Sequence, residues 1–203
     1  MPECFTGGFV QTNGYLFQTP DASWIAVDAP RGMAAWLTSR NIRPAALLLT
    51  HQHYDHVEDA AAVAALGATV HAWAPYSTEL TLEAMMRSYG MPVEVPPYPV
   101  DVLLEGTSSL EIGGQAMALA HVPGHSPDSV TFFLADKGEV YSGDTLFEGS
   151  IGRADLPRGN PAQLIDGIRG KLFALPEPTA VFPGHGPATT IGAERAGNPY
   201  CGD

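Results

Sequence analysis

The chain is poor in residues that many functions require. Among 203 residues there are two cysteines, and ten Lys plus Arg stand against 22 Asp plus Glu, a formal net charge of -12. Nucleic-acid binding rests on clustered Lys and Arg, and the ten basic residues form no cluster, so no nucleic-acid partner is expected. An acidic surface of this kind mainly keeps a protein in solution. No apolar run approaches the ~20 residues of a membrane span, so no membrane partner is expected either. Met1-Pro2-Glu3-Cys4-Phe5 lacks the basic start and long apolar core of a secretory leader, and the expected setting is the cytoplasm. Cys4 and Cys201 lie near opposite ends without zinc-site spacing and read as free thiols rather than a bridge. There is no Gly-x-Ser-x-Gly run to mark a serine nucleophile. Neither a repeat at solenoid or propeller period nor a low-complexity linker interrupts the chain.

What is present suits one globular domain over residues 1–203: 45% of the residues are hydrophobic and 16% charged, enough for a sizeable core. Short strands are expected at Gly14–Phe17 and Trp24–Val27, split by the turn former Thr19-Pro20-Asp21-Ala22. Gly32–Arg40 reads as a helix, with Met33, Trp36 and Leu37 on one face. Ala45–Leu49 reads as a buried strand, Glu58–Leu66 as an alanine-rich helix stopped by Gly67, and Thr69–His71 as a strand. A single helix is expected over Thr78–Tyr89, with Leu82, Met85, Met86 and Tyr89 as its apolar stripe. Met91–Val100 carries four prolines and must be an ordered irregular segment. These last two segments can serve as a lid or as a subunit contact. Strands are expected at Val102–Leu104, Leu110–Ile112, Ala116–Ala120, Val130–Leu134, Val140–Tyr141 and Ala180–Phe182, with a helix over Pro161–Leu172 opened by Asn160-Pro161.

The richest feature is Thr50-His51-Gln52-His53-Tyr54-Asp55-His56, directly after the apolar run Ala45–Leu49. A strand ending there aims His51, His53, Asp55 and His56 into one pocket, where neutral imidazoles and a carboxylate suit a borderline cation such as zinc. A histidine-rich loop with solvated side chains is the plain alternative. Against it, similar residues recur in similar settings: His125 in Pro123-Gly124-His125-Ser126, Asp144 in Ser142-Gly143-Asp144-Thr145, and His185 in Pro183-Gly184-His185-Gly186. The glycines beside these residues let the backbone turn sharply. Each metal-type residue follows an expected strand, a pattern that suits an α/β fold of two mixed sheets packed together with helices outside and polar loops meeting along one edge. The order of elements equally permits an ordinary α/β layer fold. Asp28, Glu58 and Asp59 are candidates to orient the imidazoles, and His71 and His121, outside the motifs, read as structural.

The series His51-x-His53-x-Asp55-His56, His125, Asp144, His185 resembles the metallo-β-lactamase superfamily, whose fold is a four-layer αββα sandwich with its site at one edge of the two sheets. Within that superfamily, Pro123-Gly124-His125-Ser126-Pro127-Asp128-Ser129 and Gly143-Asp144-Thr145-Leu146-Phe147 look like glyoxalase II, the hydroxyacylglutathione hydrolases. The tail from Gly184 to Gly192, with Glu194 and Asn198-Pro199-Tyr200, resembles the short single-domain bacterial branch. Only Gly186–Asp203 follow the last ligand, so no C-terminal helical glutathione-binding domain is expected.

The resemblance implies two divalent metal ions, with zinc first and iron or manganese also accepted by such donors. His51, His53 and His125 would hold one, Asp55, His56 and His185 the other, and Asp144 would bridge them. It implies a metal-bridging hydroxide as nucleophile, because a bound metal lowers the pKa of water from ~15.7 to about 7. Asp55 would be the catalytic carboxylate, orienting that hydroxide or taking its proton. The implied substrate is a small-molecule thioester such as S-lactoylglutathione, whose thiolate leaves without a strong general acid. Arg153 matches a position where the family sets a basic residue against the substrate's glycine carboxylate; its alternative is a surface arginine paired with Asp155. The nearest rival is a persulfide dioxygenase using one iron on His51, His125 and Asp144. Hydrolysis of another acyl compound, a lactone or β-lactam, is a third reading. A non-catalytic binding module has no need of seven intact ligands.

Overall fold

In the first hundred residues, apolar runs closed by Gly, Pro and Asp become the strands of one sheet. The computed structural model describes residues 1–202 and divides into two compact units, the first formed by Met1–Glu105 with Ile112–Gly114. Its elements run β1 (Glu3–Gly7), β2 (Thr12–Gln18), β3 (Trp24–Val27), α1 (Met33–Ser39), β4 (Ala46–Leu48), α2 (Tyr54–Val57), α3 (Ala60–Ala65), β5 (Thr69–Ala72), α4 (Thr78–Thr81), α5 (Glu83–Ser88) and β6 (Val102–Leu103). The six strands pair in chain order, antiparallel from β1 to β3 and parallel from β3 to β6. Leu16, Ala26, Leu47 and Val70 on the sheet cluster with Met33 and Leu37 of α1 and with Ala60 and Val63 of α3. Ile25 and Leu48, pointing the other way, are also fully buried. Burial on both faces explains why β3 and β4 read as unbroken apolar runs rather than alternating ones.

The expected helix over Thr78–Tyr89 is two helices. Leu82 adopts φ 56, which ends α4 and restarts the chain as α5. The break leaves Leu80 and Leu82 buried while Tyr89, expected in the apolar stripe, is exposed. Met91–Val100 is irregular, as its prolines require, and ordered by burial of Val93, Val95 and Tyr98. Glu83 fastens it to α5 by accepting the Val95 N–H at 2.9 Å.

The second unit comprises Gly106–Glu111 and Gln115–Asp203. Its elements are β7 (Ser109–Ile112), β8 (Gln115–His121), β9 (Val130–Leu134), β10 (Glu139–Gly143), β11 (Leu146–Phe147), β12 (Ser150–Ile151), α6 (Pro161–Gly167), β13 (Ala180–Pro183), β14 (Thr189–Thr190) and α7 (Ile191–Gly197). A six-stranded sheet runs in the order β14-β13-β10-β9-β8-β7, and β11 and β12 form a separate hairpin. The Asn160 side chain caps α6 by accepting the Gln163 N–H at 3.1 Å, with Pro161 in the first turn. Past Gly167 the helix widens into a π turn over Ile168–Leu172, so the expected helix has the right extent but two geometries. Val122, Val140 and Val181 pack with Leu164, Ile168, Leu172 and Ile191 beneath α6 and α7. The elements β1, α2, the β11–β12 hairpin, β14 and α7 have no counterpart in the sequence reading; most are too short to establish a period.

Cys4 is exposed and Cys201 buried, and both are free thiols. No helix among the described residues is long and apolar enough to cross a membrane. His121 is the structural histidine expected, with Nε2 2.8 Å from the Pro127 carbonyl. His71 is only half satisfied: Nε2 lies 3.1 Å from Thr69 Oγ1, while Nδ1 is buried without a hydrogen-bond partner. Burial pushes its pKa below the ordinary 6.5, against the opposing pull of Asp101. The folded state therefore resists a proton that the unfolded chain accepts below about 6.5, so stability should fall as the pH drops through that value. Denaturant unfolding at pH 7.5 and 5.5 tests this, and the loss should be smaller in His71→Leu.

Candidate metal centre

The first unit delivers four donors from the loop after β4. Thr50 ends the apolar run and is tied back to Asp28, which follows β3: its N–H donates to Asp28 Oδ1 at 2.8 Å and its hydroxyl to Oδ2 at 2.7 Å. With that hydroxyl proton committed to Asp28, Thr50 Oγ1 accepts from His51 Nδ1 at 3.1 Å. The next turn, α2, carries Asp55 and His56, and His56 Nδ1 donates to Asp28 Oδ2 at 2.8 Å. Asp55 Oδ2 accepts the Thr12 hydroxyl at 2.7 Å. Gln52 faces away and locks the loop, its Nε2 donating to the carbonyls of Ala74 and Pro75 and its Oε1 accepting from Tyr98.

These contacts set which imidazole nitrogen carries the proton. A proton on Nδ1 of His51 and of His56 leaves Nε2 as an acceptor in each. His56 Nε2 faces Asp55 Oδ2 at 3.4 Å, so two acceptors confront each other. Ligand atoms of His51 and His53, of His51 and His56, and of Asp55 and His56 lie within 4.8 Å pairwise. All four residues are buried. Concentrated lone pairs without an intervening proton are the environment a cation relieves, and imidazole plus carboxylate fits zinc, iron or manganese.

The second unit repeats the arrangement with residues from three loops. A bulge between Tyr141 and Gly143 interrupts the parallel β10–β13 pairing just before Asp144. The Gly184 N–H donates to the Gly143 carbonyl at 2.9 Å, which holds the His185 loop beside the Asp144 loop. His125 Nδ1 donates to the Arg153 carbonyl at 2.7 Å, and its Nε2 lies 3.4 Å from Asp144 Oδ2. His185 Nε2 lies at 3.4 Å from the same oxygen. Two glycines make this possible. Gly124 has φ 134, and a Cβ there would meet the Leu164 nitrogen at 2.5 Å and the Asn160 oxygen at 2.7 Å. A Cβ at Gly152 would fall onto the Asp144 carbonyl oxygen.

The seven expected ligands are thus gathered as four in one unit and three in the other. Of the three candidate orienting carboxylates, Asp28 performs that role. Asp59 instead accepts the N–H groups of Gly32 and Ala34 at the start of α1. Glu58 touches no imidazole; its Oε2 is buried without a partner, and burial, partly offset by Arg31, pushes its pKa up to about 6. The Arg153 guanidinium forms a fork with Asp155 at 2.8 Å on both arms, both side chains exposed, as in the surface-arginine alternative. That contact holds the Asp155 carboxyl down at about 2. Thr12, Thr50 and Gly152 had no sequence signal, being ordinary residues whose roles come from remote neighbours.

A family model described as the metallo-beta-lactamase superfamily matches residues 7–185. A probable metallo-hydrolase of Bacillus subtilis, YqgX, is 35% identical over 95% of this chain and 93% of its own length. The hydroxyacylglutathione hydrolase GloC of Haemophilus influenzae is 33% identical over 86% of each chain. Among solved structures, the B3 metallo-beta-lactamase BLEG-1 superposes with a TM-score of 0.89 at 35% identity, covering 99% of both chains.

If Asp28 orients His56 and, through Thr50, His51, then Asp28→Ala should weaken zinc binding about 10- to 100-fold in chelator competition. Asp59→Ala should cost about 1 kcal/mol of stability by uncapping α1 and leave zinc affinity near that of the parent chain.

Proposed function

As the chain belongs to the metallo-beta-lactamase superfamily, we propose that it is a metal-dependent hydrolase of thioesters of the S-lactoylglutathione kind. The observation that carries this reading is the donor set: five imidazoles and two carboxylates, with Nδ1 of His51, His56 and His125 each turned to an oxygen of the protein. On the family's pattern, His51, His53 and His125 would hold one divalent cation, Asp55, His56 and His185 a second, and Asp144 would serve both. Zinc is the first choice, since imidazole with carboxylate suits it, and iron or manganese is also accepted by such donors. GloC, similar over most of its length, supports the thioester as substrate class.

When bound, the cations supply an activated water and polarise the substrate carbonyl. Asp55 would take or steer a proton, a role supported by the Thr12 hydroxyl that holds its Oδ2. Asp28 stabilises the Nδ1–H of His56 and keeps its lone pair available. The leaving thiolate needs no strong acid, and none is required of the chain. For Arg153 to receive a substrate carboxylate, that carboxylate must displace Asp155 from the fork.

The zinc-reconstituted chain should hydrolyse S-lactoylglutathione, lose the activity on chelation and regain it with added zinc, while Asp144→Ala should fall by at least about a hundredfold. Absence of turnover at millimolar substrate in a fully metallated sample would sink the thioester reading. The likeness to BLEG-1 favours β-lactam hydrolysis as a second reading. A chromogenic β-lactam assayed in parallel decides between them by the ratio of kcat/KM values.

A further inference from the structure

The tail residues Glu194 and Asn198 have no part in the chemistry above, yet Glu194 is buried and carries three hydrogen bonds. Its Oε1 accepts the Thr189 hydroxyl at 2.6 Å, and its Oε2 accepts the Gly149 N–H at 2.9 Å and the Asn198 side-chain N–H at 2.8 Å. The Asn198 amide also donates to the Ser150 carbonyl at 3.0 Å. Gly149 lies at the tip of the β11–β12 hairpin and Ser150 opens β12. That hairpin leaves the chain directly after Asp144 and returns it at Gly152-Arg153, where Gly152 lies against the Asp144 carbonyl and the Arg153 carbonyl receives the His125 N–H. Thr189 lies four residues past His185. One buried carboxylate on α7 therefore grips both the hairpin that sets Asp144 and His125 and the strand that follows His185.

We propose that Glu194, assisted by Asn198, is a positioning residue for the Asp144–His125–His185 half of the metal centre. It makes α7 responsive to metal occupancy. This rests on the metal-binding part of the reading above and not on the substrate. Three donors converging on one carboxylate define its place without a neighbouring cation. Removing it strands the Gly149 N–H and frees the hairpin tip, and the displacement passes along the two short strands of the hairpin to Asp144 and to the Arg153 carbonyl. By linkage, whatever tightens the ligands must also tighten the clamp that places them. Glutamine can keep the clamp, because the Thr189 hydroxyl can turn from donating to accepting.

Zinc affinity by chelator competition and amide hydrogen exchange of Ile191–Gly197 with and without zinc test this in the full chain. The expected results are at least about tenfold weaker zinc binding in Glu194→Ala, near-parent affinity in Glu194→Gln, and slower exchange in α7 when zinc is bound to the parent chain. The exchange measurement needs no variant and stands even if Glu194→Ala fails to fold. A folded Glu194→Ala with parental zinc affinity, or α7 exchange indifferent to zinc, overturns the proposal and leaves the metal reading intact. A parent chain that binds no zinc removes both.

Discussion

A carboxylate as buried as that of Asp28 is costly unless donors converge on it, and three do: the Thr50 N–H, the Thr50 hydroxyl and His56 Nδ1–H. The consequences spread outward from this arrangement. It joins the loop after β3 to the loop after β4, although 22 residues separate Asp28 from Thr50. It determines the tautomer of His56 directly and that of His51 through the Thr50 hydroxyl. It also holds α2 against the sheet at the place where Asp55 must meet Thr12. Asp28 itself sits at φ 56, an unusual conformation for a residue other than glycine, accepted because the hydrogen bonds over-determine it.

The second unit solves the same problem with backbone instead of a carboxylate. His125 donates to a main-chain carbonyl, that of Arg153, and the carbonyl is held by the compact turn around Gly152. Both solutions turn Nδ1 toward an oxygen of the protein, the orientation in which a divalent cation can be met by Nε2. They differ in electrostatic character. The first half-set has an anion directly behind His56, whereas the second has a backbone dipole behind His125.

Much of this was legible beforehand because metal ligands are chemically conspicuous. Histidine and aspartate in short Gly-flanked motifs announce themselves, and β3 and β9 were read to the residue because apolar β-branched and aromatic runs leave little choice. The helix over residues 78–89 was misread for an instructive reason. Leu82 belongs to the helical stripe by period, and nothing local reveals that tertiary packing favours a left-handed residue there over an unbroken helix. Short elements such as β11, β12 and β14 escaped notice because two residues establish no period. Among the orienting groups, Asp28 could be nominated by its place after a strand, but its choice over Glu58 and Asp59 depends on geometry across the sheet. Thr12 was invisible, since a threonine in a strand is the commonest kind of surface residue until its partner is known.

The spacing of the donors bears on how the centre is assembled during synthesis. His51, His53, Asp55 and His56 belong to one short stretch, whereas His185 follows His56 by roughly 130 positions, so at ~5–20 residues per second it is made roughly 6 to 26 seconds later. For the proposed metal centre, the nascent chain would through that interval carry only the first four donors, and His125, Asp144 and His185 would be the last to arrive.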